Sequence, residues 1–378
     1  MLIRPGRLFD GRRGAYGVTV RVEGDCVLEM GDALSPRPGE EVLDAPGALL
    51  SPGFIDVHIH GIAGCDTMRG EADVRAMARS VAAHGVTGFL PTTMSASFKD
   101  IRAALEGVGA AMSGTDGARV LGCHLEGPYL NRARQGAQPP QFIVAPILDE
   151  YRRLTSGLEH AVKLLTLAPE VPGALELMDV LRDKVRLSAG HTDATCEQIG
   201  EAAAHGLTHI THMFNGMTAL NHRAPGVPGA ALIDDRLSVE LIADLMHLHR
   251  TTLELCYRAK GRDRCILVTD AMEAADRPDG EYALGAHRVF VSLGAARLAE
   301  GNLAGSTLTM ERAVRNMHRA AGVPLTHALQ MATLNPARAI GVPGGEIVPG
   351  APSDLVLLDD DLNVLWTMVG GKMVYQLR

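Results

Sequence analysis

Eight apolar, β-branched segments recur through the middle of the chain, and most are separated by a stretch with helical character. They are Gly53–His60, Val86–Thr92, Arg119–Glu126, Val162–Ala168, Val185–His191, Thr208–Phe214, Ser238–Asp244 and Arg264–Ala271. Between the first two, Val74, Met77, Ala78 and Val81 follow the i, i+3, i+4, i+7 spacing of an amphipathic helix over Ala72–His84. Ile101–Met112, Ala174–Leu181 and Thr195–His205 read the same way. Eightfold strand–helix alternation with near-continuous apolar strands predicts an α/β fold, a (β/α)8 TIM-like barrel. The sixth connection, Thr218–Asp234, carries two prolines, Pro225 and Pro228, and no helical period, so it reads as a functional loop. Pro278–Leu298 reads as a hairpin insertion, and helices over Ser306–Ala321 and Leu325–Thr333 close the unit.

The two chain ends have a different character. Gly6–Phe9, Val18–Val22, Val27–Met30, Val42–Leu43 and Leu49–Leu50 are short β-prone runs between turn residues, as are Asp354–Leu358, Val364–Val369 and Met373–Leu377. Matching ends around a different middle predict one small discontinuous β-sandwich domain, residues 1–50 with 342–378, beside a barrel of residues 51–341. At 378 residues the chain can bury a large core without staples. A net charge of -8 with 4% aromatic residues offers neither a basic footprint for nucleic acid nor a stacking platform for single strands. No apolar run is long enough to span a bilayer and no signal-peptide h-region opens the chain, so no membrane partner is expected. The six cysteines are scattered without a CxxC pair and read as free thiols of a cytoplasmic protein.

Catalytic groups of such barrels stand at the C-terminal ends of the strands. The first segment ends in His58-Ile59-His60, whose imidazoles two residues apart share one face. The third ends in His124-Leu125-Glu126, the fifth in His191, the sixth in His212-Met213-Phe214-Asn215, the seventh in Asp244 with His247 close behind, and the eighth in Asp270. Imidazoles and carboxylates without thiolates suit Zn²⁺, Fe²⁺, Co²⁺, Ni²⁺ or Mn²⁺. A bound ion of that kind lowers the pKa of water towards ~7 and leaves Asp270 as the general base, then acid. Alone, a His-x-His pair is more often packing, Glu126 could be a buried ion-pair partner and Asp270 a helix cap. Those readings do not require the residues to fall at successive strand ends. Strand alternation points His124 and His209 away from the cavity; His222 and His249 are undecided, and the remaining histidines read as structural.

Pro52-Gly53-Phe54-Ile55-Asp56-Val57-His58-Ile59-His60-Gly61 resembles the opening strand of the amidohydrolase superfamily. His124-Leu125-Glu126-Gly127-Pro128, Ala189-Gly190-His191-Thr192, Thr211-His212-Met213-Phe214-Asn215, Leu267-Val268-Thr269-Asp270-Ala271 and Leu303-Ala304-Gly305-Ser306 resemble the N-acetylglucosamine-6-phosphate deacetylase family within it. The resemblance runs over essentially the whole chain. It implies deacetylation of N-acetylglucosamine 6-phosphate, a divalent ion on Glu126, His191 and His212, and a second ion near His58 and His60, with Asp270 as acid/base and a further metal ligand. Zinc is the foremost expectation. The resemblance further implies sugar-phosphate contacts from Ala137, Gln138, Asn215, Gly216, Arg223, His247, Leu303, Ala304 and Gly305. It also implies a homodimer in which Arg223 reaches the neighbouring site; unaided, Arg223 offers the planar fork that a phosphate needs. The chain departs from the family pattern where Gln138 replaces a histidine, Leu245 a glycine and Gly216 an alanine. Rival readings are another metal-dependent amidohydrolase and a non-catalytic barrel. Ala168 rather than lysine ends the fourth strand, against a carbamylated-lysine bridge.

Overall fold

The computed structural model describes residues 1–32, 34–114, 116–285 and 287–377. Eight parallel strands close into a barrel: β1 (Phe54–Ile59), β2 (Val86–Pro91), β3 in two pieces (Arg119–Val120 and Cys123–Glu126), β4 (Val162–Leu167), β5 (Arg186–Ala189), β6 (Leu207–Ile210), β7 (Ser238–Ile242) and β8 (Cys265–Val268). Neighbours pair in parallel from β1 to β3 and from β3 to β8. Parallel bridges Thr92↔His124 and Ile59↔Ala271 join the two arcs and shut the circle. Every residue of β1, β2, β7 and β8 is buried, as expected of strands covered on one face by helices and on the other by the barrel's own filling.

The outer helices bury the stripes anticipated from their spacing. In α1 (Glu71–Ala82) Val74, Met77, Ala78 and Val81 face inward. Ser97 caps α2 (Phe98–Ala111) through the Asp100 amide, and Thr195 with Gln198 forms a capping box on α5 (Cys196–Ala204). Between them lie α3 (Leu148–Thr155) and α4 (Ala174–Leu181). The sixth connection corrects the expectation of a helix-free loop, because α6 (Gly226–Ile233) occupies its second half. Its sequence is apolar on nearly every side, so it has no amphipathic period, and Pro228 sits in the first turn where its missing N–H costs nothing. The barrel is completed by α7 (Arg250–Lys260), α8 (Met310–Arg319), α9 (Leu325–Ala332) and α10 (Leu334–Ile340). After β8, three antiparallel strands, Gly280–Leu284, His287–Ser292 and Ala295–Arg297, extend the anticipated hairpin by one strand.

Both chain ends enter one sheet. Its order runs Lys372–Gln376, Val364–Val369, Leu355–Leu358, Val42–Pro52, Leu2–Phe9, Val18–Glu23 and Cys26–Asp32, with Gly14–Tyr16 beside Leu2–Phe9. The two short runs expected around residues 42–50 are a single strand, parallel to the first strand and antiparallel to Leu355–Leu358. The sheet curls over Ile3, Leu8, Val20, Leu50, Leu355, Trp366 and Met368, and its far regions touch where Cys26 bridges Pro352. The long strand then runs through Gly53 into β1. A Cβ at Gly53 would lie 2.1 Å from the Thr87 methyl, so the two sheets can join this closely only at glycine. No helix among the described residues is long and apolar enough to cross a membrane.

Candidate metal centre and active site

Six side chains from five strand ends meet at the C-terminal mouth of the barrel. His58 and His60, on β1 and just beyond it, face each other through their Nε2 atoms at 3.3 Å, and His191 and His212, just past β5 and β6, do so at 3.1 Å. Glu126, the last residue of β3, stands between the pairs. Its Oε1 lies 3.1 Å from His212 Nε2, 3.3 Å from His191 Nε2 and 3.6 Å from His58 Nε2. Its Oε2 lies 3.4 Å from His60 Nε2. Asp270 closes the ring from the eighth strand end, with Oδ1 3.4 Å from His58 Nε2 and 3.3 Å from His60 Nε2. His58, His60 and Glu126 form one group that could hold a metal ion and Glu126, His191 and His212 another, all buried.

The donor set fits a cation. Nitrogens facing each other at such distances need a proton or a positive ion between them. The Nδ1 atoms of three of the rings meet acceptors on the outer side: His58 bonds Glu240 at 3.0 Å, His60 the Thr92 carbonyl at 3.2 Å and His191 the Arg134 carbonyl at 2.9 Å. Acceptors there fix the Nδ1–H tautomer and turn each Nε2 lone pair inward, as in metal sites whose imidazoles are oriented from behind.

Electrostatics tell the same story. Burial disfavours the imidazolium of His58 and His60, yet Asp270, Glu126 and, for His58, Glu240 outweigh it and lift them to about 9 and about 10. Against its own burial, Glu126 is held well below the usual carboxylate range by His58, His191 and His212, and Asp270 is lowered by His58, His60 and His212. Asp56 behaves differently: burial pushes it up to about 7 although Thr269 donates to it at 2.6 Å.

Three of these groups leave their strands through left-handed backbone, with φ of 47° at His191, 28° at His212 and 48° at Asp270. Non-glycine residues rarely adopt that region, and such strain gathers at sites whose surroundings enforce it. Here the Asp270 amide donates to the His58 carbonyl at 2.8 Å and the Asp270 carbonyl accepts from the Ser306 amide at 2.7 Å. These bonds tie the eighth strand end to the first and to the Leu303–Ser306 stretch.

His60, Glu126, His191, His212 and Asp270 form the floor of a cavity of about 290 Å³, and His58 is fully buried behind them. Ala137, Gln138, Asn215, Gly216, His247, Leu303 and Gly305 line it, with Ala304 buried between the last two. His247 Nδ1 is held by Asp244 Oδ2 at 2.6 Å, which leaves Nε2 as the ring nitrogen to offer the cavity. Gln138 is more committed than a sugar contact would be: its Nε2 donates to Glu126 Oε2 at 2.6 Å and its Oε1 accepts from the Ser95 amide at 2.7 Å. Arg223 is exposed in the sixth connection and does not line the cavity of its own chain.

Two sequence expectations need refinement. His124 and His209 do not line the cavity, but they face the barrel interior rather than its outside. His124 lies two residues before Glu126 and therefore shares its face; its ring packs edge-on to His58 and Nε2 bonds Thr166 Oγ1 at 2.7 Å. His209 bonds Glu240 Oε1 at 3.0 Å inside the barrel. His249 is the N-cap of α7, and His222 is an exposed loop residue. Sequence reading passed over Met94 and Leu284 on the cavity wall and Glu240 beneath it. Met94 follows the second strand end, where no His, Asp or Glu marks the sequence, and Glu240 is marked as a charge between Val239 and Leu241. Leu284 reaches the wall from the inserted hairpin and had no local signal.

Residues 49–374 match the amidohydrolase family. A curated relative from Escherichia coli O157:H7, an N-acetylgalactosamine-6-phosphate deacetylase, is 40% identical over 90% of this chain and 91% of its own length. An N-acetylglucosamine-6-phosphate deacetylase from Lysinibacillus sphaericus is 39% identical over 89% and 88%. Among solved structures, a mutant N-acetyl-D-glucosamine-6-phosphate deacetylase from Mycobacterium smegmatis in complex with N-acetyl-D-glucosamine 6-phosphate superposes with a TM-score of 0.94. It is 33% identical and covers 100% of this chain and 99% of its own. The enzyme of the same name from Thermotoga maritima gives 0.90 at 34% identity, covering 100% of both chains.

Proposed function

The chain belongs to the amidohydrolase family, and within it we propose that this protein hydrolyses the N-acetyl group of N-acetyl-D-glucosamine 6-phosphate, giving D-glucosamine 6-phosphate and acetate. The observation that carries this reading is the meeting of Glu126, His58, His60, His191, His212 and Asp270 at one cavity, all but the fully buried His58 lining it. Glu126, His191 and His212 would hold one divalent ion and His58, His60 and Glu126 a second beside Asp270, zinc being the ion that this nitrogen-rich set suits best. Bound there, such an ion lowers the pKa of water and polarises a carbonyl oxygen.

The chain's own groups supply the rest. Asp270, ionised at neutral pH, takes a proton from the attacking water and returns it to the amine as the carbon–nitrogen bond breaks, so one carboxylate serves as base and then acid. With Asp244 accepting from its Nδ1–H, His247 presents the Nε2 lone pair to the cavity, placed to accept a hydrogen bond from the substrate. Asn215, Gly216, Ala137 and the Leu303–Gly305 stretch hold the sugar phosphate, whose binding fixes the distant amide over the floor. Gln138 serves the reaction by orienting Glu126. The exposure of Arg223 away from its own cavity supports its service to the phosphate of a neighbouring subunit in a homodimer. Free cysteines, six among the described residues, agree with a reducing compartment, and we place the reaction in the cytoplasm.

A second reading shares the chemistry and changes the sugar: the 40% identical relative is named for the galactosamine epimer. Acetate release from N-acetylglucosamine 6-phosphate, N-acetylgalactosamine 6-phosphate and unphosphorylated N-acetylglucosamine, with zinc-replete and chelated protein, separates these possibilities. Chelator-sensitive release favouring the phosphorylated glucosamine is expected. A preference for the galactosamine epimer would select the second reading. Release from none of the three by protein that holds metal would remove the sugar assignment.

A further inference from the structure

Glu240 is a charged residue between Val239 and Leu241 in the middle of β7, with no exposed surface. A carboxylate there is costly unless its lone pairs are filled. Oε2 accepts both the Nδ1–H of His58 and the backbone N–H of His212, each at 3.0 Å, and Oε1 lies 3.0 Å from His209 Nε2. The Glu240 carbonyl accepts from the Met213 amide at 2.9 Å. A single oxygen thus touches one residue from each ligand group.

We propose that Glu240 is a positioning residue for both metal subsites at once, aiming the ring of His58 and fixing the backbone from which His212 projects. This rests on the reading of the ring as a metal centre. At His58 the bond to Oε2 settles which nitrogen carries the proton, so Nε2 presents its lone pair to the group it forms with His60 and Glu126. At His212 it steadies a residue whose φ of 28° few side chains adopt, and the imidazole facing Glu126 and His191 inherits that direction. Gln in place of Glu240 keeps a carbonyl oxygen for both donors, with its amide turned to His209; Ala keeps neither acceptor.

The test is zinc titration of the chelated full-length protein against a chromophoric competitor, for the parent, E240A, E240Q and H58A, with circular dichroism checking each fold. E240A is expected to weaken every zinc that the parent binds, by about 10–100-fold, while E240Q stays within about tenfold. H58A should weaken one zinc and spare the one on Glu126, His191 and His212. A zinc held by folded E240A with parental affinity overturns the proposal, as does folded E240Q that is as impaired as E240A. Should E240A fail to fold, two-bond imidazole nitrogen spectra of the zinc-loaded parent decide. A His58 Nδ1–H signal absent from H58A supports the proposal, and zinc on His58 Nδ1 overturns it. A parent that binds no zinc would instead sink the metal reading itself.

Discussion

Leu245 stands at φ 68°, in the left-handed region, between Asp244, which anchors His247, and the rest of that loop. A residue with a Cβ pays ~1–2 kcal/mol in this region that glycine would not. Leu245→Gly removes that strain but frees the unfolded chain, so stability should stay within ~1 kcal/mol of the parent and turnover should persist. Leu245→Val puts a β-branched side chain at the same φ and should lose ~1–3 kcal/mol in urea melts. Equal stability of the two variants would show that the backbone relaxes there. Asp270 gives a sharper test, since Asp270→Asn keeps the shape but cannot take a proton: kcat should fall by ~10²–10⁴, with zinc content measured alongside, and undiminished turnover would end its role as base. Glu126, His191, His212 and Asp270 were legible because each falls at a strand end, where barrel chemistry collects. The inward facing of His124 and His209 was missed because alternation was applied without counting from Glu126. The backbone leaves its strands in left-handed turns at His191 and His212, and a period-two rule does not extend through such turns.

Elements were legible in proportion to how periodic their burial is. The α1 stripe and the fully buried β1 and β2 could be read because the barrel demands one apolar face of a helix and both faces of a strand. The α6 helix, buried on most sides, offered no such contrast, and the strand over Val42–Pro52 was hidden by Pro46-Gly47 in its middle. One link between elements carries a pH dependence. His84, just beyond α1, has Nδ1 3.3 Å from Glu311 in the first turn of α8 and Nε2 3.7 Å from Asp276 after β8. Burial works against its charge, but Glu311 and Asp276 outweigh it and raise its pKa above the ordinary value near ~6.5, while His84 lowers that of Glu311. A raised imidazole pKa adds stability in full below ~6.5 and loses it as pH climbs through the folded value. The lowered Glu311 adds stability above ~4.3 and loses it as pH falls through its own folded value. The melting temperature of the parent should therefore exceed that of His84→Gln most near pH ~6, with the gap closing towards pH ~9. A gap constant over that range would show that His84 acts by packing alone.

At the scale of the whole molecule, the cavity of one chain holds the floor and wall of the proposed site, but among the described residues no lysine or arginine lines it to pair with a phosphate. Arg223 lies exposed in the sixth connection, where its backbone amide bonds Asn221 Oδ1 at 3.0 Å. If it completes the site of a second subunit, two inactive variants should repair each other. An Arg223→Ala chain keeps Asp270 and can receive Arg223 from an Asp270→Asn partner, so every mixed dimer has one complete site. Random exchange makes about half of the dimers mixed, and restored activity should approach roughly a quarter of the parental value. Arginine acting within its own chain predicts none, because no subunit would then carry both groups. Subunits unfolded and refolded together, then assayed for acetate release against each variant refolded alone, distinguish the two arrangements. Recovery would require an obligate dimer in which the barrel supplies the chemistry and its neighbour the phosphate cation. Its absence, with each variant folded and mixed dimers shown to form, would mean that no neighbouring chain supplies Arg223.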